Sequence, residues 1–194
     1  MPSTRPQPEW LANSVLYQIY PQTFADSNGD GIGDLAGIIS RLPYIASLGA
    51  DAIWLSPFFT SPMLDFGYDV SSYRDVDPMF GTLVDFKAMV KRAHALGLKV
   101  MIDQVLSHCS DQHAWFIEAR KSRDNPYRDY YVWSDTDQKY NETRIIFLDT
   151  EPSNWTYDAP TGQYYWHRFY AHQPDLNYDN PAVQSEMLKI VDFW

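Results

Sequence analysis

The sequence has 194 residues, is 45% hydrophobic and carries a formal net charge of -10, so it can bury a core of one or two domains. That acidic balance, with no basic block anywhere, excludes a nucleic-acid surface or an anionic membrane as partner and leaves neutral or cationic ligands open. The single cysteine, Cys109, excludes a disulfide-dependent secreted scaffold; the polar, Pro-rich residues 1–10 lack the apolar core of a signal peptide, no apolar run could span a bilayer, and a cytoplasmic protein is expected.

In chain order, residues 15–20 form an apolar run stopped by Pro21, which suits a buried first strand. A loop dense in Asp, Asn and Gly follows, Asp26-Ser27-Asn28-Gly29-Asp30-Gly31-Ile32-Gly33-Asp34. It leads into a helix with apolar residues at Leu35, Ile38, Ile39, Leu42, Ile45 and Leu48, closed by Gly49. Ala52-Ile53-Trp54-Leu55 reads as a second strand, broken by Ser56-Pro57 and followed by a loop to about Phe80. Thr82 with Asp85 three residues on is a capping box, and it opens a helix through Phe86, Met89, Val90, Ala93 and Leu96. After Gly97 the β-branched run Leu98-Lys99-Val100-Met101-Ile102 predicts a buried third strand that delivers Asp103 at its C-terminal end and His108 five residues later.

Three strands alternating with two helices predict parallel βαβ units in an α/β protein. The loops after the strands are long and those before them short, which marks the C-terminal strand ends as the functional face. No Gly-x-Gly-x-x-Gly follows the first strand, and carboxylates between Gly29, Gly31 and Gly33 would repel a pyrophosphate, so a dinucleotide fold is the weaker reading.

From residue 110 to about 180 the pattern becomes irregular and rich in Tyr, Trp, Asp and Asn. It holds a short helix around Trp115, Phe116 and Ala119 and strand-like pieces at Arg144-Ile145-Ile146-Phe147-Leu148 and Gln163-Tyr164-Tyr165-Trp166-His167. This reads as an inserted, β-rich domain whose aromatic residues form its core. Asn180-Pro181 then opens a helix that keeps its apolar spacing at Val183, Met187, Ile190, Val191 and Trp194. Three strands cannot close a barrel that needs eight, and a truncated fragment is expected.

The series Gln18-Ile19-Tyr20-Pro21, the Asp26 to Asp34 loop, Ala52-Ile53-Trp54-Leu55-Ser56-Pro57, Gly67-Tyr68-Asp69-Val70, the stretch from Asp103 to His108, and Gln173-Pro174-Asp175-Leu176-Asn177 resembles the α-amylase family, glycoside hydrolase family 13. It is most similar to the branch of oligo-1,6-glucosidases, α-glucosidases and trehalose synthases. The resemblance implies the N-terminal part of a (β/α)8 TIM barrel: its first three βα units in residues 1–109, an inserted irregular β-rich domain after the third strand in 110–180, and the start of the third barrel helix in 181–194.

The same resemblance implies that Tyr68 forms a platform beside a terminal glucose, that Asp69 orders the charged site, and that Asp103 and His108 hydrogen-bond the sugar hydroxyls. Read from the residues alone, Asp103 is a strand-end residue capping a local turn and His108 a satisfied loop histidine. Ser107 stands where the family usually has asparagine before that histidine. The nucleophile and the acid/base would come from the fourth and fifth barrel strands, beyond Trp194, so the chain alone is expected to be inactive. The substrates implied are short α-linked gluco-oligosaccharides or disaccharides. Residues up to about Arg120, with Asp65-Phe66-Gly67-Tyr68-Asp69 and Ile102-Asp103-Gln104-Val105, lean toward α-glucosidases. Trp133-Ser134-Asp135-Thr136, Ser153-Asn154-Trp155-Thr156 and Tyr165-Trp166-His167-Arg168-Phe169 lean toward trehalose synthases. A catalytically silent scaffold is the alternative from another class.

The Asp26 to Asp34 loop offers alternating oxygen ligands around glycine turns, as calcium requires, but Gly37 stands where an EF-hand has its distal glutamate. The plain reading is a turn whose Asp34 caps the next helix. The resemblance implies a structural calcium or magnesium held by Asp26, Asn28, Asp30, the Ile32 carbonyl and Asp34. His108, His113, Asp111 and Asp103 could be read as a transition-metal cluster, but that would need the loop to fold back on itself, with His113 expected instead on the short helix before Trp115.

Overall fold

The computed structural model describes residues 8–194; residues 1–7 of the Pro-rich start lie outside the described residues. In chain order the elements are α1 (Glu9–Ala12), β1 (Leu16–Ile19), α2 (Pro21–Phe24), α3 (Leu35–Ser47), β2 (Ala52–Leu55), β3 (Phe59–Thr60), β4 (Ser72–Val76), α4 (Leu83–Ala95), β5 (Lys99–Ile102), α5 (Ala114–Ala119), a 3-10 turn (Arg128–Tyr130), β6 (Trp133–Ser134), β7 (Trp155–Asp158), β8 (Gln163–Trp166) and α6 (Pro181–Phe193). They fall into two compact units, one running through Phe58 and resuming at Val76–Asp103, the other comprising Phe59–Asp75 and Gln104–Trp194. Among the described residues no helix is long and apolar enough to cross a membrane.

The first unit is built on a parallel sheet in the order β1-β2-β5, with Ile19 opposite Leu55 and Leu55 opposite Ile102. That register makes the three strands end level, so Tyr20, Ser56 and Asp103 leave from one edge. Two of these exits are held by ladder bonds, Ser56 N–H to the Ile19 carbonyl at 2.9 Å and Asp103 N–H to the Leu55 carbonyl at 3.0 Å. The expectation of buried outer strands is corrected: only Ile19 is buried in β1, and in β5 Lys99 is exposed and Val100, Met101 and Ile102 are half-buried. Both strands are sheet edges, and the best-covered strand is the central β2, in which Ala52, Ile53 and Leu55 are buried.

Helices α3 and α4 follow from their caps and apolar faces. Asp34 accepts from Gly37 N–H at 2.6 Å, and α3 buries Leu35, Ile38, Leu42 and Ile45. Thr82 and Asp85 form the reciprocal capping box, with Phe86, Met89 and Ala93 on the buried face of α4. Phe86 stacks on Phe58 at 5.0 Å.

The second unit contains an antiparallel sheet in the order β6-β8-β7. Tyr165 and Trp166 of β8 oppose Trp133 of β6 and Trp155 of β7, so large rings fill a small sheet. Phe116 of α5 meets Tyr131 and Tyr165 edge-on at 4.9 and 5.0 Å, the geometry favoured by the aromatic quadrupole. Asp158, whose side chain is fully buried, takes Arg120 Nε at 2.6 Å. In α6 the Asn180 side chain accepts from Ala182 N–H, Pro181 occupies the first turn, and Val183, Met187 and Ile190 are buried.

Two expectations are corrected here. Residues 56–80 are not a plain loop, because Phe59–Thr60 and Ser72–Val76 pair as a short two-stranded sheet. Residues 144–148 are not a strand; the segment is irregular, Phe147 stacks on Tyr170 at 4.3 Å, and its carbonyl accepts from Thr150 and Glu151 N–H in a local turn rather than from a partner strand.

Candidate functional site

The sequence-predicted residues are divided between the units. Asp103 closes β5 in the first unit and is half-buried. Tyr68, Asp69 and His108 lie together in the second unit, on the β3–β4 connection and the segment after β5.

That connection is strained and locked by one carboxylate. Met63 and Phe66 hold φ of 60° and 49°, a left-handed backbone that L-residues adopt at a cost. Asp69 is fully buried. Its Oδ1 accepts from Ser61 Oγ and Asp65 N–H, both at 3.0 Å, and its Oδ2 accepts from Leu64 N–H at 3.0 Å. Asp69 therefore orders the loop that displays Tyr68. Asp69→Ala leaves those donors unsatisfied, and is expected to cost about 3 kcal/mol in urea unfolding, as losing bonds to a buried charged acceptor entails. Asp69→Asn, of the same shape, is expected to recover part of that loss.

His108 is buried, and burial lowers its imidazole pKa, opposed by the Tyr68 carbonyl and by the Asp65 and Asp69 carboxylates. Its Nε2 lies 3.0 Å from the Tyr68 carbonyl, which can only accept, so Nε2 carries the proton and donates. In the neutral ring Nδ1 is then the acceptor, and Ser107 Oγ, 2.9 Å away, supplies the proton. The ring thus clamps the backbone of the aromatic residue next to Asp69.

Three further residues join this cluster without having been singled out from the sequence. Asp65 Oδ2 accepts from Nε2 of the fully buried Gln173 at 2.8 Å. Gln173 in turn takes Tyr170 N–H on its Oε1 at 3.2 Å. Phe169 lies 5.1 Å from the His108 ring. Asp65 and Gln173 stood inside quoted motifs, yet they meet across 108 positions, a pairing no local pattern can announce. Together the group offers carboxylate acceptors, an imidazole and aromatic surface, the chemistry that orients a neutral polyol.

His113 does not approach a metal cluster. It caps α5, its Nδ1 accepting from Trp115 N–H at 3.1 Å, and burial alone lowers its pKa to about 4. Among the described residues no three His, Cys, Asp or Glu side chains converge as a metal centre would require.

In the first unit the Asp26 to Asp34 loop is closed by its own side chains. Asp26 accepts from the N–H groups of Asn28, Gly29 and Gly31 at 2.9, 2.7 and 2.8 Å, while Asn28 and Asp30 accept from the N–H two residues on. Bonds from Gly31 and Gly29 hold the Asp26 carboxyl below its ordinary range. Burial pushes Asp34 the other way, but its bonds from Gly37 and Ser27 prevail and its pKa is also lowered. The carboxylate and amide oxygens of this loop are the hard donors that calcium or magnesium takes.

Comparisons with known proteins agree on one family. The model of the alpha-amylase catalytic domain matches residues 18–194. A probable alpha-glucosidase of Rhizobium meliloti is 57% identical over 97% of this chain and 34% of its own length. A trehalose synthase of Pimelobacter sp. is 51% identical over 97% of this chain and 33% of its own. Among solved structures, the alpha-glucosyl transfer enzyme XgtA superposes with a TM-score of 0.91 at 54% identity, over 97% of this chain and 35% of that one. The chain thus spans about a third of the length of the curated relatives it matches.

Proposed function

Because this chain belongs to the alpha-amylase catalytic-domain family, we propose that it is part of a retaining enzyme that acts on short α-linked glucosides, of the α-glucosidase type. In this reading the parallel sheet holds the first strands of a (β/α)8 barrel, carried by residues 1–109. Residues 110–180 are the domain inserted after the third strand, and 181–194 begin the third barrel helix. The observation that supports the reading best is the fixing of Tyr68, whose carbonyl is held by His108 and whose loop is held by Asp69.

Tyr68 then offers a ring face to the C–H surface of the terminal glucose; the family resemblance alone assigns Asp103, which belongs to the other unit, the part of accepting from sugar hydroxyls. His108 serves the pocket by holding Tyr68, and its Nε2–H reaches a sugar hydroxyl as the second acceptor of a shared bond. Bonds that tighten as the ring flattens toward an oxocarbenium ion contribute to catalysis as well as binding. The nucleophile and acid/base of the retaining reaction are assigned to strands that follow in the longer relatives. Asp69, fully buried and hydrogen-bonded, is not a substitute for either.

A second reading has one observation of its own: a trehalose synthase is 51% identical across nearly the whole chain. Such an enzyme would isomerise maltose to trehalose while holding the freed glucose. The two readings separate in a chimera in which this chain replaces the matching segment of the Rhizobium meliloti relative. Glucose as the product from maltose supports the glucosidase, trehalose supports the mutase, and a folded chimera that turns over neither supports the silent scaffold.

The hard donors of the Asp26 loop support a structural calcium or magnesium held by Asp26, Asn28, Asp30, the Ile32 carbonyl and Asp34, an ion that would have to draw the three carboxylates together, since they do not converge without it. The ion would neutralise the loop's carboxylates and brace the entry to α3. Millimolar calcium is expected to raise the melting temperature by several degrees, chelator to reverse it, and Asp30→Ala to abolish the response, since an ion that binds only the folded state stabilises it. An unchanged melt with calcium present would remove the proposal.

A further inference from the structure

The second unit holds a cavity of about 450 Å³ whose lining includes neither Tyr68 nor Asp69 nor His108, a volume in the range of small-ligand sites. One wall is Tyr140, more than half exposed and carried on a left-handed backbone with φ of 56°. Its ring lies parallel to Trp155 at 6.3 Å and edge-on to Trp166 at 5.4 Å. The backbone beside it is pinned twice: Trp155 Nε1 donates to the Lys139 carbonyl at 2.8 Å, and Asn154 Nδ2 to the Thr143 carbonyl at 3.0 Å. The aromatic wall is therefore set in place before any ligand arrives.

Lys139, Glu142 and Arg144 line the same cavity, and among the described residues none of the three is in an ion pair. With Asp137 they bring two positive and two negative charges. An anion would meet the two carboxylates and a cation the two bases, while an apolar ligand would strip water from all four. A neutral molecule with many hydroxyls uses every one of them, and its C–H face suits Tyr140 and the exposed Leu148.

We propose that this cavity is a second, non-catalytic saccharide site, taking a glucosyl ring against Tyr140 with Glu142 accepting from its hydroxyls and Lys139 or Arg144 donating to them. The choice of a glucosyl ligand rests on the function proposed above; the existence of the site does not.

Trp155 reports on it, because its indole N–H holds the Lys139 carbonyl at the cavity wall. Maltose titrated into the 15N-labelled chain is expected to move the Trp155 indole resonance saturably. Tyr140→Ala and Tyr140→Gly, the latter free of the left-handed strain, are expected to weaken that binding about tenfold, as loss of an aromatic contact would. Tyr140→Phe should preserve it, Glu142→Gln should weaken it, and Asp103→Asn should leave it unchanged. A resonance that does not move, that moves equally with glycerol, or that keeps its response in the folded Tyr140→Gly chain overturns the site. Loss of the response in Asp103→Asn also overturns it, by assigning the signal to the pocket proposed first.

Discussion

Maltose incubated with the 194-residue chain is expected to be recovered unchanged, with neither glucose nor trehalose formed above the uncatalysed background. Retaining hydrolysis of an α-glucoside needs a carboxylate nucleophile and a carboxylic acid/base about 5–5.5 Å apart across the scissile bond. In the function proposed above those groups come from the fourth and fifth barrel strands, whereas the parallel sheet here is β1-β2-β5. Of the carboxylates gathered near Tyr68, Asp69 accepts from two backbone N–H groups and the Ser61 hydroxyl, and Asp65 is tied to Gln173. Each has an orienting part and neither is poised for attack. Product that rises in proportion to the chain, and vanishes in the His108→Ala variant, would show that a complete catalytic pair lies within these residues.

Gly37→Ala is expected to destabilise the protein by about 2–3 kcal/mol, seen as a lower urea midpoint with an unchanged slope. Helix propensity alone argues the opposite sign, since alanine in a helix interior gains about 1 kcal/mol over glycine. The close approach decides it. A Cβ on Gly37 would overlap the Ala25 carbonyl, and the obstacle is backbone, which no rotamer change can relieve. That carbonyl also accepts Asp34 N–H at 3.0 Å, while the Asp34 carboxylate accepts Gly37 N–H at 2.6 Å. A methyl at 37 therefore prises the base of the Asp26 to Asp34 loop from the first turn of α3, and the calcium response proposed above should weaken with it. An alanine variant as stable as the parent would mean that the loop is free to move away from the helix.

What was legible in the sequence is what short-range chemistry dictates. The Thr82–Asp85 capping box, the Asn180–Pro181 start and the Asp34 cap are found as read, because each is a contact within three residues. The Ala52–Leu55 strand is exact, its apolar run being covered on both sides by neighbouring strands. Residues 144–148 misled because β-branched composition states a preference for extended backbone but cannot supply a partner strand. The β3–β4 pair was hidden by its brevity and by the Pro and Gly residues between its strands. At the site, Tyr68, Asp69 and His108 were nameable through motifs, but their arrangement was not. The His108 to Tyr68 bond spans 40 positions and the Gln173 to Asp65 bond spans 108, and both exist only because the fold brings distant loops together.

The proposed orienting of a glucoside by Asp103 is tested most directly by kcat/KM for maltose in the chimera with the Rhizobium meliloti relative, with and without Asp103→Asn. The expected result is a fall of roughly 100-fold with the melting temperature unchanged, the cost of losing a charged hydrogen-bond partner worth about 1.5–3 kcal/mol. A folded chimera whose Asp103→Asn variant turns over maltose as fast as its parent would contradict it.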